Sequence, residues 1–177
     1  AALHRVPAPG WDGPDLLAAA MAEPDLAAIH AFWEPALPRL DDLLADAERL
    51  AGAMSASPPV FTHGDCHTEN ITHADGSLIF CDWQSARTGR PSSDLAFLSV
   101  RATPTGVTVP PALLDAYDPD RDDELRRAVV AEELAILIFQ WPHFAAYNSA
   151  TGIARIRARA ADLAQRWLHG RGSPGYS

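Results

Sequence analysis

The chain has 177 residues, 47% of them apolar, and a formal net charge of −9. That supports one substantial core in a single domain over residues 1–177, and the negative charge argues against nucleic acid or an anionic membrane as partner, because counterion release would work against binding. Cys66 and Cys81 lack C-x-x-C spacing, nothing resembles a signal peptide, and no apolar run reaches bilayer-spanning length, so the expected setting is the cytoplasm, with no membrane contact.

In chain order, residues 1–7 read as the last turn of a helix running into a proline-rich loop, and residues 13–22 as a short alanine-rich helix. Two helical segments follow, 25–33 and 38–50, broken around Pro35. In the second, Leu40, Leu43, Leu44, Ala47 and Leu50 recur at helical spacing while Asp41, Asp42, Asp46 and Glu48 stay outside. Residues 60–63 form a short strand. Two more strands, 71–73 and 78–82, flank the turn Ala74-Asp75-Gly76-Ser77. A loop over 83–93 precedes a helix beginning at 94–100, and 103–111 is irregular. Asp118-Pro119-Asp120 reads as the start of a long central helix carrying Val130, Leu134, Leu137, Ile138 and Trp141, which Pro142 kinks or ends. The last helix spans 151–168 with Arg155, Arg159 and Arg166 exposed, and 173–177 is a frayed tail. The fold class is α+β, mainly α-helical, with a small β-hairpin.

The chemistry concentrates in His63-Gly64-Asp65-Cys66-His67-Thr68-Glu69-Asn70, followed by Asp82-Trp83. Phosphoryl transfer from ATP needs a carboxylate to orient the acceptor hydroxyl and oxygen ligands to hold Mg2+ against the phosphates. Asp65 fits the first role, and Asn70 and Asp82 the second. The tight hairpin returns the chain beside itself, so Asp82 can approach Asn70. All 14 basic side chains are arginine, and no glycine-rich phosphate loop precedes the motif. Kinases and P-loop enzymes use a lysine on the phosphates, so an amino-terminal nucleotide lobe is expected to be absent here, and the chain alone is expected to be nearly inactive.

The motif from His63 to Asn70, Cys81-Asp82-Trp83 and Ser93-Asp94-Leu95-Ala96 together resemble the aminoglycoside phosphotransferase family. That family also includes choline, homoserine, fructosamine and macrolide kinases and relatives of the ecdysteroid kinases, all similar in fold to protein kinases. Leu3-His4 resembles the pair that ends the helix after the family's inter-lobe hinge. The resemblance covers the chain as a protein-kinase-like C-terminal lobe. It implies that Asp65 is the base or acceptor-orienting carboxylate and that Asn70 and Asp82 hold Mg2+ and, through it, ATP. It further implies that His63 packs beneath the metal-binding segment and that Asp94 is a buried acid bracing the catalytic loop. His67 occupies the place of a phosphate-neutralising lysine. Cys81 replaces a branched aliphatic residue.

Each residue also has a plainer reading. Asp65, Asn70 and Asp82 suit turns. His67 could serve only as loop scaffold instead of stabilising charge on the phosphoryl group, and Asp94 could simply cap a helix. His63 and His67 could suggest a zinc pair, but the i, i+4 spacing works on a helix and this segment leaves a strand. Trp83 is expected in the core, as are Phe139, Trp141, Phe144 and Tyr147. The acidic residues 115–124 read as a solvated helix entrance, with grip on a cationic substrate as the lesser alternative, and Arg155, Arg157 and Arg159 as solvated surface. The reading is the catalytic lobe of an ATP-dependent phosphotransferase acting on a small hydroxyl compound, with a cationic acceptor among the candidates. The rivals are a non-catalytic ligand-binding or regulatory module and a metal-dependent hydrolase using His63, Asp65, His67 and Asp82.

Overall fold

The computed structural model describes residues 2–7, 10–120 and 122–169; the expected frayed tail lies outside them. The described chain is mostly helical, with two small antiparallel two-stranded sheets. Residues Leu3–Arg5 form a single 3-10 turn. Helices α1 (Leu16–Ala22) and α2 (Leu26–Trp33) each start at an aspartate, Asp15 or Asp25, whose carboxylate accepts the backbone N–H three residues on.

The helix expected over 38–50 is two helices, α3 (Leu40–Ala45) and α4 (Ala47–Met54). The break falls at Asp46, whose carboxylate accepts from Arg49 and from the Trp167 indole N–H at 3.0 Å. These ties hold its backbone near φ −88°, ψ 6°, outside the helical well.

Strand β1 (Val60–Thr62) leads into the motif, and β2 (Ile71–Ala74) and β3 (Ser77–Phe80) form the expected hairpin. Its turn carries Asp75 at φ 50° and Gly76 at φ 77°, the left-handed pair that suits the twist of a two-residue hairpin. The segment 83–93 is not simply a loop. It contains a 3-10 turn and β4 (Arg87–Gly89), which pairs antiparallel with β1 in the register Val60↔Gly89 to Thr62↔Arg87. Three residues carry too little periodicity to be read as a strand.

Helix α5 (Pro91–Ala102) begins at Pro91, whose fixed φ suits the first helical position. At the end of the stretch expected to be irregular, α6 (Pro111–Tyr117) also starts on a proline. The central helix α7 (Asp123–Ala135) is capped by Asp122, not by Asp118. It packs most extensively against α4 and α5, and Leu134, Leu137, Ile138, Ile156 and Leu163 are fully enclosed. Past Ala135 the helix widens into a π segment over Ile136–Gln140, then a 3-10 segment over Trp141–Tyr147. Pro142 has no N–H to give the ladder, so the change of pitch falls beside it.

The stretch Asp123–Tyr147 is long and apolar enough, by length and composition alone, to cross a bilayer, contrary to the sequence reading; most of its apolar window is buried inside the fold. Helix α8 (Ala150–His169) closes the core with Ile156, Leu163 and Trp167. Its arginines are not simply solvated: Arg157 donates to the Phe32 carbonyl over the Phe32 ring, Arg159 pairs with buried Glu133, and Arg155 donates to the Pro104 carbonyl. Phe139 and Trp141 are buried as expected. Phe144, Tyr147 and Trp83 are exposed instead.

Leu134→Ala removes a fully enclosed side chain from the centre of this packing. It is expected to destabilise the fold by about 2–5 kcal/mol, the range for a buried leucine whose cavity cannot collapse. Urea denaturation checks this as a lower midpoint with an unchanged slope.

Candidate active site

The segment between β1 and β2 is fixed by its backbone. Gly64 stands at φ +79°, and a Cβ there would meet the Ser85 carbonyl oxygen at 2.0 Å, so glycine is required for both conformation and space. The neighbouring N–H groups of His63 and Gly64 donate to Asp94 at 2.8 and 2.9 Å. Asp94 lies inside α5, not at its cap, and also accepts from His4 Nε2 at 3.0 Å, while the Tyr117 hydroxyl donates to His4 Nδ1 at 2.6 Å. Burial disfavours the Asp94 charge. The hydrogen bonds from His4, His63 and Gly64 outweigh it and hold its carboxyl below the usual range. Burial, with the Asp94 and Asp118 charges, raises the Tyr117 phenol.

His63 is wholly buried. Its Nε2 donates to the Cys81 carbonyl at 2.8 Å, its Nδ1 receives the Asp65 N–H at 3.4 Å, and its ring lies 4.7 Å from that of Trp83. It therefore ties the Asp65 loop to the end of β3. Trp83, half out of the core, stacks on Phe61 and donates its indole N–H to the Phe80 carbonyl.

Asp65 is half-exposed. Its carboxylate and its carbonyl each accept from Asn70 Nδ2 at 3.0 Å. Among the described residues, the Asn70 side-chain oxygen has no hydrogen-bond partner. The Cys81 N–H donates to the Asn70 carbonyl at 2.8 Å, which extends the hairpin by one bond and sets Asp82 beside Asn70. Asp82 is exposed at φ 60°, and among the described residues its carboxylate has no hydrogen bond or ion pair. A non-glycine residue in this conformation is uncommon and costs backbone strain, a frequent mark of functional sites. Asn70 and Asp82 thus offer two hard oxygen donors on facing backbone, a donor set that fits Mg2+, which takes one or two protein ligands and completes its shell with water and phosphate.

His67 is nearly buried against Phe97, with Nε2 3.5 Å from Asp65 and Nδ1 3.5 Å from Glu69. Burial, with Asp94 and Asp65 nearby, pushes the Cys66 thiol up to about 12, so that sulfur stays protonated. The zinc and hydrolase alternatives do not fit this arrangement. Both His63 nitrogens are committed, and no group of three His, Cys, Asp or Glu among the described residues is placed to hold a metal ion.

A cavity of about 580 Å³ opens beside Asp65, lined from α1, α5, the start of α7's π segment and the loop before β4. Two residues at its wall escaped the sequence reading. Arg90 donates to Glu132 at 3.0 and 2.7 Å and also pairs with Asp15, while Ser92 and Ser93 donate to the same buried glutamate. The available signal was Glu132-Glu133, two acids inside the otherwise apolar run from Val129 to Phe139. Glu133 turns the other way, towards Arg159. Burial raises its carboxyl, and Arg159 only partly offsets this.

The chain belongs to the phosphotransferase enzyme family, whose profile matches residues 1–130. Among solved structures it is similar to a choline/ethanolamine kinase family protein from Mesorhizobium loti, at 19% identity and a TM-score of 0.41, over 84% of this chain and 53% of that one. The chain therefore spans about half the length of that relative. No protein of curated function matches it significantly.

The depressed Asp94 carboxyl makes stability pH-dependent in one direction. Its contribution is present above the unfolded aspartate pKa of about 3.9 and is lost as pH falls through the lower folded value. Asp94→Asn is expected to lose about 1.5–3 kcal/mol at neutral pH, the scale of hydrogen bonds to a charged group. Below pH 4 its stability should fall less steeply than that of the wild type. Urea midpoints measured from pH 7 down to pH 2 on both proteins check this.

Proposed function

We propose that this chain is the catalytic lobe of an ATP-dependent phosphotransferase of protein-kinase type, moving the γ-phosphoryl group to a hydroxyl of a small molecule in the cytoplasm. The observation that carries the reading is the juxtaposition of Asp65, Asn70 and Asp82 around one hairpin, with Asp65 at the mouth of an organic-sized cavity. Asp65 accepts a hydrogen bond from the acceptor hydroxyl and aims its oxygen at the phosphoryl group, taking the proton as the bond forms. Asn70 holds the Asp65 carboxylate in place through Nδ2. Asn70 and Asp82 would hold Mg2+, which when bound neutralises charge on the phosphates. His67 sits against Asp65 and can place positive charge near the same group.

Because the chain has no lysine and no glycine-rich phosphate loop, we propose that a separate nucleotide lobe supplies those contacts in the two-lobed enzyme. The chain by itself is then slow, since positioning and charge stabilisation provide most of the rate in phosphoryl transfer.

The test is ADP release, with ATP and Mg2+ and a panel of alcohols, by the full reading frame that encodes this chain. Asp65→Asn should lower turnover by about 10²–10⁴-fold, the usual worth of a positioned base, with an unchanged melting temperature. A variant that keeps more than about a tenth of wild-type turnover ends the assignment. His67→Gln should also lower turnover; wild-type turnover in that variant would leave His67 as loop scaffold.

A further inference from the structure

The wall of the cavity beside Asp65 bears on the acceptor's chemistry. We propose, resting on the phosphotransferase reading, that the acceptor is an uncharged alcohol with an apolar, ring-sized body, and that Arg90 turns cationic acceptors away by occupying the carboxylates a cation would need.

Apolar atoms dominate the wall, with Leu16, Leu17, Phe97, Ile136, Phe139 and Phe144 facing the space. A cation entering such a space must exchange its hydration for carboxylate contacts or bear an uncompensated desolvation cost. The acids nearby are already used. Glu132 receives Arg90 through Nε and a terminal nitrogen and also receives Ser92 and Ser93. Asp15 receives Arg90 and the N–H of Ala18, with Arg87 3.9 Å away. Asp94 is filled by His4, His63 and Gly64. The half-exposed Asp65 remains, and its task is to meet the hydroxyl.

The acidic residues 115–124 do not line the cavity. Asp115 and Asp118 lie instead beside Arg126. A neutral alcohol loses little solvation on entry, gives its hydroxyl to Asp65, and releases water from the apolar wall. The volume of about 580 Å³ lies in the range of small-molecule sites, about 300–1,000 Å³.

The experiment is calorimetric titration of the chain with four probes: 2-naphthylmethanol, myo-inositol, choline and kanamycin. The first should bind at least about tenfold more tightly than each of the others, as expected from burial of a two-ring apolar body. Equal or tighter binding of choline or kanamycin overturns the exclusion of cations. Equal or tighter binding of myo-inositol overturns the apolar body, and no binding of 2-naphthylmethanol overturns the whole inference.

Phe144 is half-exposed at the cavity wall, so Phe144→Gln should fold and weaken 2-naphthylmethanol several-fold; unchanged affinity overturns the assignment to this cavity. Arg90→Met frees Asp15 and Glu132, and the folded variant should gain affinity for choline several-fold. No gain overturns the role of Arg90, and should that variant not fold, Arg90→Gln, which keeps a hydrogen-bonding side chain without the charge, should show the same gain, its absence overturning that role. Kanamycin bound tightly and phosphorylated would refute this inference and keep the phosphotransferase reading. Selective 2-naphthylmethanol binding by a protein that transfers no phosphoryl group would do the reverse.

Discussion

The carboxylate of Asp94 joins three stretches that are far apart in sequence: the turn at His4, the loop at His63-Gly64 and helix α5. A buried charge is costly unless every lone pair is met. Here two backbone N–H groups and one imidazole meet it, so the ionised form is the stable one. Because those N–H groups immediately precede Asp65, the position of that side chain is set by a bond whose loss would leave a buried carboxylate unsatisfied. Gly64 adds a steric condition, since the loop passes the Ser85 carbonyl too closely for any Cβ. The loop is held by an electrostatic anchor on one side and a packing limit on the other.

From that anchor the rest of the site follows through short links. His63 carries the constraint to the Cys81 carbonyl, and the Asn70 carbonyl receives the Cys81 N–H, so both ends of the hairpin are bound to the same loop. Asn70 then turns its amide nitrogen to Asp65, and among the described residues its side-chain oxygen meets no partner. The exposed Asp82, without an ion pair among the described residues and in a left-handed conformation, is the one strained member. Its strain is tolerated because the backbone on either side is fixed by the hairpin and by the 3-10 turn after it.

The cavity has a different origin. Its roof, the segment before α1, is strapped down by Arg87 to the Pro14 carbonyl, by Arg90 to Asp15, and by the Thr88 N–H to the Trp11 carbonyl. Its floor is the widened turn after α7, where the π segment turns Ile136, Phe139 and Gln140 towards the space. Arg90 serves both halves, since it reaches Asp15 above and Glu132 below. Charge that could have faced a ligand is spent on holding the two halves together.

The sequence by itself determined whatever depends on neighbours along the chain. The Asp75-Gly76 hairpin turn, the helix-spaced apolar residues of α3, α4 and α7, the Asp65–Asn70 offset and its return to Asp82 are all local, within twenty residues, and the left-handed turn and hard oxygen donors have recognisable residue preferences. The family resemblance rested on the same local spacings. Only the tertiary structure decided the rest. The helix break at Asp46 depends on Trp167, 121 residues away; the start of α7 was decided among several aspartates; β4 exists because β1 lies beside it; Trp83 stays at the surface stacked on Phe61, and Phe144 stands at the cavity wall. The choice between cap and brace for Asp94 also needed three dimensions, since it turns on backbone N–H groups 30 and 31 residues back. Arg90 is the clearest case. An arginine and a glutamate 42 positions apart carry no mutual signal in a single chain, and their pairing, which sets the polarity of the cavity, arises only when α5 packs on α7.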